Sequence, residues 1–385
     1  MTTLGMVLAG GAARGAWQSG VLRYIVEEIP KNLGYVPWPA VVSGNSVGAL
    51  NGVNVAARHG PGVLGLSRVW REMLIEQVYD VRPANLATAI YNSVWASGPF
   101  ALLDADALRR LVDKHYPHVQ LREAIAFGDT RAFIVSATEL NTGINTLFLD
   151  SHDPAVWLKP LPGTKVRRGH ITAEHCLASA SLPLLFEPVS VQGRLHVDGM
   201  LRQNTPVRPA IQAGCSHILV IGVERAGHHS RTAPAAEVVP TFAFIGGKVL
   251  DAALMDPVDR DLRNVERLNE LVRWGRRRFG PEFESALEAE MNVREVKVLR
   301  INPSEDLSDV ARRAYHSGPL NASNAVRALL SLIADPANAT ESDMLSYLLF
   351  DRAYTGAIEA LGFEDARRHE EVLVRFMSDA TPAPE

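Results

Sequence analysis

The sequence predicts an α/β protein built on a mostly parallel sheet, and three observations carry that expectation. Strand and helix patterns alternate twice within the first sixty residues, as a parallel sheet with right-handed crossovers requires. A hydrophobic fraction of 47% supplies a sizeable core, and 21% charged residues exclude disorder for most of the chain. No run of about 18 apolar residues is present, so no membrane-spanning helix is expected.

Leu4 to Ala9 is a short apolar run ended by Gly10-Gly11, the pattern of a buried parallel strand. Gly15 to Glu28 follows, with Val21, Leu22, Ile25 and Val26 at helical spacing and Pro30 as the stop. Ala40 to Ser43 predicts a second strand, and the small apolar residues from Val47 to Ala57 a second helix. Later strands are expected at Ala132 to Ala137, Thr146 to Leu149, Leu195 to Val197, His217 to Val223 and Val296 to Ile301. Helices are expected at Gly65 to Leu74, Asp106 to His115, Ala173 to Ala180 and Pro206 to Ala213.

Residues 225–240 are polar and rich in Ala and Pro, the composition of a surface loop. They divide a core over 1–224 from a mostly helical part over 241–377, which holds the strand near 296–301. In that part Val258, Leu262, Val265, Leu268 and Val272 form an apolar stripe, expected to pack on the core. Arg276-Arg277-Arg278 reads as a solvated helix end; a transient membrane-surface contact would rest on that triplet alone. Met344 to Ala360 and Glu364 to Met377 predict two more helices, and 378–385 a disordered tail.

The 39 basic residues are spread against 43 acidic ones, and the net charge is −4, which argues against a nucleic-acid partner. Two cysteines, Cys176 and Cys215, make no disulfide framework and read as small core residues of a reduced compartment. The start, Met1-Thr2-Thr3, lacks the basic residues of a secretory signal, and Arg14 interrupts the apolar stretch. A cytoplasmic location is therefore expected, with peripheral membrane contact as the variant.

Gly44-Asn45-Ser46-Val47-Gly48 fits the pattern G-x-S-x-G between an apolar strand and a small-residue helix, the setting of a nucleophile elbow. The turn is tight enough to demand glycine on both sides, and the helix N-terminus behind it favours developing negative charge. Gly10-Gly11-Ala12-Ala13-Arg14-Gly15 follows the first strand, and its backbone N–H groups suit an anionic oxygen. Its glycine spacing does not fit a dinucleotide loop, no acidic residue closes the next strand, and no Gly-Lys-Ser/Thr follows for a phosphate loop.

A serine hydroxyl needs a base. Twelve histidines invite a Ser-Asp-His triad, but an elbow after only the second strand is early for the common hydrolase chain order. Asp198 stands out, at a strand end and followed by Gly199; read alone it is an ordinary Asp-Gly turn. His196 falls on the same strand face and reads as a satisfied strand histidine. His170, His175, His228 and His229 show no metal-ligand spacing, so no metal or organic cofactor is expected.

These residues together resemble the patatin-like phospholipases. Leu8 to Ala16 is similar to that family's glycine-rich oxyanion loop, and Gly44 to Gly48 to its elbow. Ala178-Ser179-Ala180-Ser181-Leu182-Pro183 with Phe186-Glu187-Pro188 resembles its Ala-Ser-x-x-x-Pro block. Val197-Asp198-Gly199 and Asn204-Thr205-Pro206 resemble the Asp-Gly motif and the Asn-x-Pro after it, and Tyr347 to Asp351 a late helical segment of bacterial members.

The resemblance implies a three-layer α/β/α fold with a mostly parallel central sheet and a helical C-terminal extension. It implies a serine hydrolase of lipid or acyl-ester substrates with Ser46 as nucleophile and Asp198 as base. Gly10, Gly11 and Ala12 would line the oxyanion hole, Arg14 would support the loop, and Gly15, Gly44, Gly48 and Gly199 would allow the close turns. Three residues depart from the pattern. Ala12 stands where glycine is frequent and must keep φ below zero or bear strain, while Asn45 and Met200 are expected to reshape the acyl pocket. Residues 85–100, with Tyr91, Trp95 and Phe100, suggest a cover over a lipid site. The alternatives are an acyltransferase or thioesterase using the same serine, or a retired lipid-binding protein. Malonyl transacylases carry histidine beside the elbow serine, where this chain has Asn45.

Overall fold

The structure is a computed structural model that describes residues 2–81, 101, 103–183, 185–201, 206–225, 262–291, 293–320, 322–334 and 342–380. Its sheet has nine strands among the described residues. They are β1 (Leu4–Leu8), β2 (Val41–Asn45), β3 (Ala132–Glu139), β4 (Asn145–Asp150), β5 (Thr164–Arg168), β6 (Val189–Val191), β7 (Arg194–Asp198), β8 (His217–Ile221) and β9 (Lys297–Ile301). The order is β5-β4-β3-β2-β1-β8-β9, with β7 attached to β3 and β6 to β7. The pairs from β3 through β9 are parallel; β3–β4, β3–β7 and β6–β7 are antiparallel.

Alternate strand residues feed two cores. Met6, Leu8, Phe133, Val135, Leu219 and Ile221 enter one, while Val7, Val41, Ile134, Ile218 and Val220 enter the other. With both faces covered, these strands are apolar throughout, which is why short unbroken runs marked them. The first face carries α1 (Gly15–Glu27), α2 (Ile29–Leu33), α3 (Val47–Ala56), α4 (Gly60–Arg71), α5 (Asp106–His115), α6 (His118–Ala126) and α7 (Ala173–Ser179). The second is covered by α8 (Val207–Gln212), by the helix over 262–279 (α9), and by Val156 and Leu158. Further helices are α10 (Pro281–Met291), α11 (Leu307–His316), α12 (Asn324–Ile333), α13 (Ser342–Leu348), α14 (Arg352–Arg368) and α15 (Glu370–Ala380). Trp17 on α1 donates to Asp365 on α14 at 2.9 Å, so the C-terminal helices share the first core.

One register detail places the site. β4 lies along one edge of β3 from Phe133 to Thr138, and β2 along the other only as far as Ser136. The rest of that second edge takes β7, with Asp198 opposite Ala137. The ends of β2 and β7 therefore meet head to head on one strand.

Several elements differ from expectation. β5 is a half-exposed strand reading Thr-Lys-Val-Arg-Arg and β6 has three residues, so neither shows an apolar run. The helix expected over 344–360 breaks at Leu349-Phe350, and Asp351 caps α14 by accepting from Ala353 N at 2.8 Å. Residues 378–380 belong to α15 rather than to a tail. In the apolar stripe Val265 and Val272 are buried while Leu268 is exposed. The loop over 226–240, the cover over 85–100, Val258 and residues 381–385 lie outside the described residues. Among the described residues, no helix is long and apolar enough to cross a membrane, and no three His, Cys, Asp or Glu side chains converge on a metal position. Cys176 and Cys215 are free and buried.

Candidate active site

β2 ends at Asn45 and α3 begins at Val47, leaving Ser46 alone in the turn with φ 53° and ψ −130°. A non-glycine residue there stores backbone strain of about 1–3 kcal/mol. A Cβ on Gly44 would strike the backbone of Gly48 and Ala49, and one on Gly48 the Leu8 carbonyl. Neither obstacle is a flexible side chain. Gly48→Ala is therefore expected to destabilise the fold by about 3 kcal/mol in urea titration, whereas Gly65, where a Cβ would meet open space, should tolerate alanine.

The Ser46 N–H donates to Ser179 Oγ at 2.8 Å, and that hydroxyl donates to the Ser136 carbonyl at 2.7 Å. Ser179 belongs to the Ala-Ser block, whose part in holding the turn was not readable from the sequence.

Asp198 is wholly buried. Its N–H donates to the Ser181 carbonyl at 2.8 Å, and its Oδ1 accepts from Met200 N at 2.9 Å and Asn45 Nδ2 at 3.3 Å. Burial raises its carboxyl to about 7, against the opposing pull of hydrogen bonding from Ser46, Met200 and Asn45. The Ser46 hydroxyl is close enough to favour the carboxylate, yet no well-aligned bond reaches Oδ2. Such bonds commonly tighten only when substrate arrives. Gly199 lets the chain turn here, since a Cβ would strike Asn45 Oδ1 and the Ser136 carbonyl. Asn45 and Met200 thus hold Asp198, and neither lines the cavity beside Ser46, contrary to the expectation that they shape it.

His196 places Nδ1 2.9 Å from the Arg194 carbonyl, and its ring lies against Phe148 with centroids 5.4 Å apart. Burial, chiefly, holds its pKa below the ordinary value. Its Nε2 has no partner among the described residues, so it is only half satisfied. His175 packs on the same Phe148 ring and is held down to about 4, again chiefly by burial.

The glycine loop leaves β1 through Gly10 and Gly11 and makes one tight turn, Ala12–Arg14, before α1. Among the described residues, the N–H groups of Gly10, Gly11 and Ala12 donate to no backbone carbonyl. Ala12 takes φ 48°, so of the two options the sequence left it takes the strained one. Gly15 lies against Val47, where a Cβ would collide, and this brings the N-termini of α1 and α3 together. Arg14 is buried and reaches into the C-terminal helices. It donates to Ser346 Oγ at 2.8 Å and Ser308 Oγ at 3.0 Å and lies 3.9 Å over the Tyr347 ring. Behind the loop, Gln18 donates to the Ala9 and Ile221 carbonyls, and Asn51 to Gly15 O at 2.9 Å.

A cavity of about 430 Å³ opens beside Ser46 and Ala12 and runs along α3. Leu50, Val53, Leu66, Val69 and Leu111 form much of its wall, with Trp70 and Phe350 side by side at 6.2 Å. Phe350 comes from the segment Tyr347 to Asp351. The helix break after Leu348 turns its ring toward Trp70.

A serine on a strand–turn–helix, facing an apolar cavity at the strand ends, is the arrangement of α/β hydrolases that act on lipids. Residues 6–211, more than half of the chain, match the family model Patatin-like phospholipase, and the chain belongs to that family. Among solved structures, human GIVD cytosolic phospholipase A2 is 13% identical with a TM-score of 0.43, over 98% of this chain and 60% of that one. VipD from Legionella pneumophila is 13% identical with a TM-score of 0.36, over 97% of this chain and 67% of that one. The chain spans about 60% of the length of the human enzyme. Comparison with curated proteins gives no match.

Proposed function

We propose that the chain is a serine lipid acyl hydrolase, a phospholipase A, lysophospholipase or lipid esterase, working through a Ser46–Asp198 dyad. The observation that carries this reading is the buried Asp198 carboxyl, with Oδ2 unengaged, beside the strained Ser46 at the head of an apolar cavity. Ser46 Oγ attacks the ester carbonyl while its proton passes to Asp198. The oxyanion is held by N–H groups of Gly10, Gly11 and Ala12, and the protonated Asp198 returns its proton to the departing alcohol. Water, deprotonated by Asp198, then attacks the acyl-enzyme, and Asp198 returns that proton to the departing Ser46 Oγ as the fatty acid is released.

A long-chain fluorophosphonate tests this directly. Intact-protein mass should rise by one adduct, and peptide mapping should put it on Ser46, with slower labelling below about pH 7 where Asp198 is protonated. Folded protein that takes no adduct, or takes it elsewhere, would overturn the reading.

A further inference from the structure

The cavity has a polar far end that acyl-ester hydrolysis does not need. Ser46, just ahead of α3, and Leu50 and Asn54 within it recur every four residues, all three lining the cavity. Asn54 therefore lies about 12 Å along the helix axis from Ser46, the distance of eight helical residues. It is 5% exposed, and its side-chain amide makes no hydrogen bond to any described residue. His59, half-buried, lines the same end. Gly62 leaves the space these two groups use: a Cβ there would collide with both Asn54 Oδ1 and the His59 ring.

The amide faces the cavity without a partner among the described residues, so a polar ligand atom or water belongs at this point. Leu50, Val53, Leu66 and Val69 also line the cavity, beside polar residues such as Asn51 and Gln120, so whatever arrives does so along a largely apolar path. The amide offers both a donor and an acceptor, and the smallest neutral group on an acyl chain that answers both is a hydroxyl. Resting on Ser46 as the acylated residue, we propose that this site selects acyl chains carrying a mid-chain hydroxyl, bound by Asn54 and His59. An extended chain esterified at Ser46 reaches Asn54 partway along its length, so the preference should peak at one hydroxyl position.

The test is a positional series of hydroxystearoyl esters against the plain stearoyl ester, with kcat/KM read for each. Wild type should favour one hydroxyl position by about ten-fold, the worth of one well-placed hydrogen bond. Asn54→Leu should abolish that preference and raise kcat/KM for the plain ester. Gly62→Ala, which fills the space without removing either polar group, should flatten the series too. A wild-type series with no peak means that water alone occupies the site and overturns the proposal. A peak that survives in both variants overturns it as well. No hydrolysis of any ester in the series would instead overturn the acyl-hydrolase reading itself, so the two failures are distinguishable.

Discussion

Ser46→Ala is expected to lower kcat for acyl-ester hydrolysis by about 10⁵-fold, the scale seen when a serine nucleophile is removed. The loss belongs to kcat, because the cavity along α3 proposed to hold the acyl chain is untouched. Stability should separate two variants that are equally inactive. Alanine keeps a Cβ at φ 53°, so Ser46→Ala retains the backbone strain, whereas Ser46→Gly releases it. Ser46→Gly should therefore unfold at higher denaturant than Ser46→Ala, by about 1 kcal/mol. Equal stability of the two would mean that the turn is not strained.

Asp198→Asn is expected to lower kcat/KM by about 10³-fold, within the range for a positioned general base. His196→Ala should leave the rate within a few-fold, since that ring is engaged with the Arg194 carbonyl and packed against Phe148. A histidine variant as damaged as the serine variant would replace the dyad with a triad. The pH profile supplies a second readout. As the proposed base, Asp198 would act only when ionised, so the wild-type rate should rise with pH through about 7 and level off above it.

Stability runs the other way, because the folded-state pKa of about 7 lies above the unfolded value of 3.8. The folded protein then binds the extra proton between those values, and stability falls as pH rises through that window. Asp198→Asn removes this charge while keeping an amide that can stay hydrogen-bonded. It should melt higher than wild type at pH 8 and close to it at pH 4. A melting difference that does not change with pH would mean Asp198 is not buried as described.

Much of the site was legible because its chemistry is local. Gly44, Ser46 and Gly48 announce themselves by spacing, since steric limits on a tight turn act between residues a few positions apart. The same holds for Gly10 and Gly11 after β1, and for the short apolar runs of β1, β2, β3 and β8, which sheet burial on both faces imposes. β5 and β6 were silent because an edge strand buries too little to need an apolar run.

The sequence by itself determined the strand–turn–helix that aims Ser46, the alternation that builds the sheet, and the candidates Ser46 and Asp198. Tertiary structure alone decided that they meet. Asp198 reaches the elbow because β2 stops at Ser136 on the edge of β3 and β7 takes the remaining positions. It decided as well that Asp198 titrates near 7, that Arg14 fastens the glycine loop to Ser346, and that Asn54, His59 and Gly62 make a polar end to an apolar cavity. Turn and strand propensities act between neighbours along the chain. Desolvation, packing and strand register act between residues as far apart as Arg14 and Ser346, 332 positions along the sequence, and exist only once the sheet has closed around them.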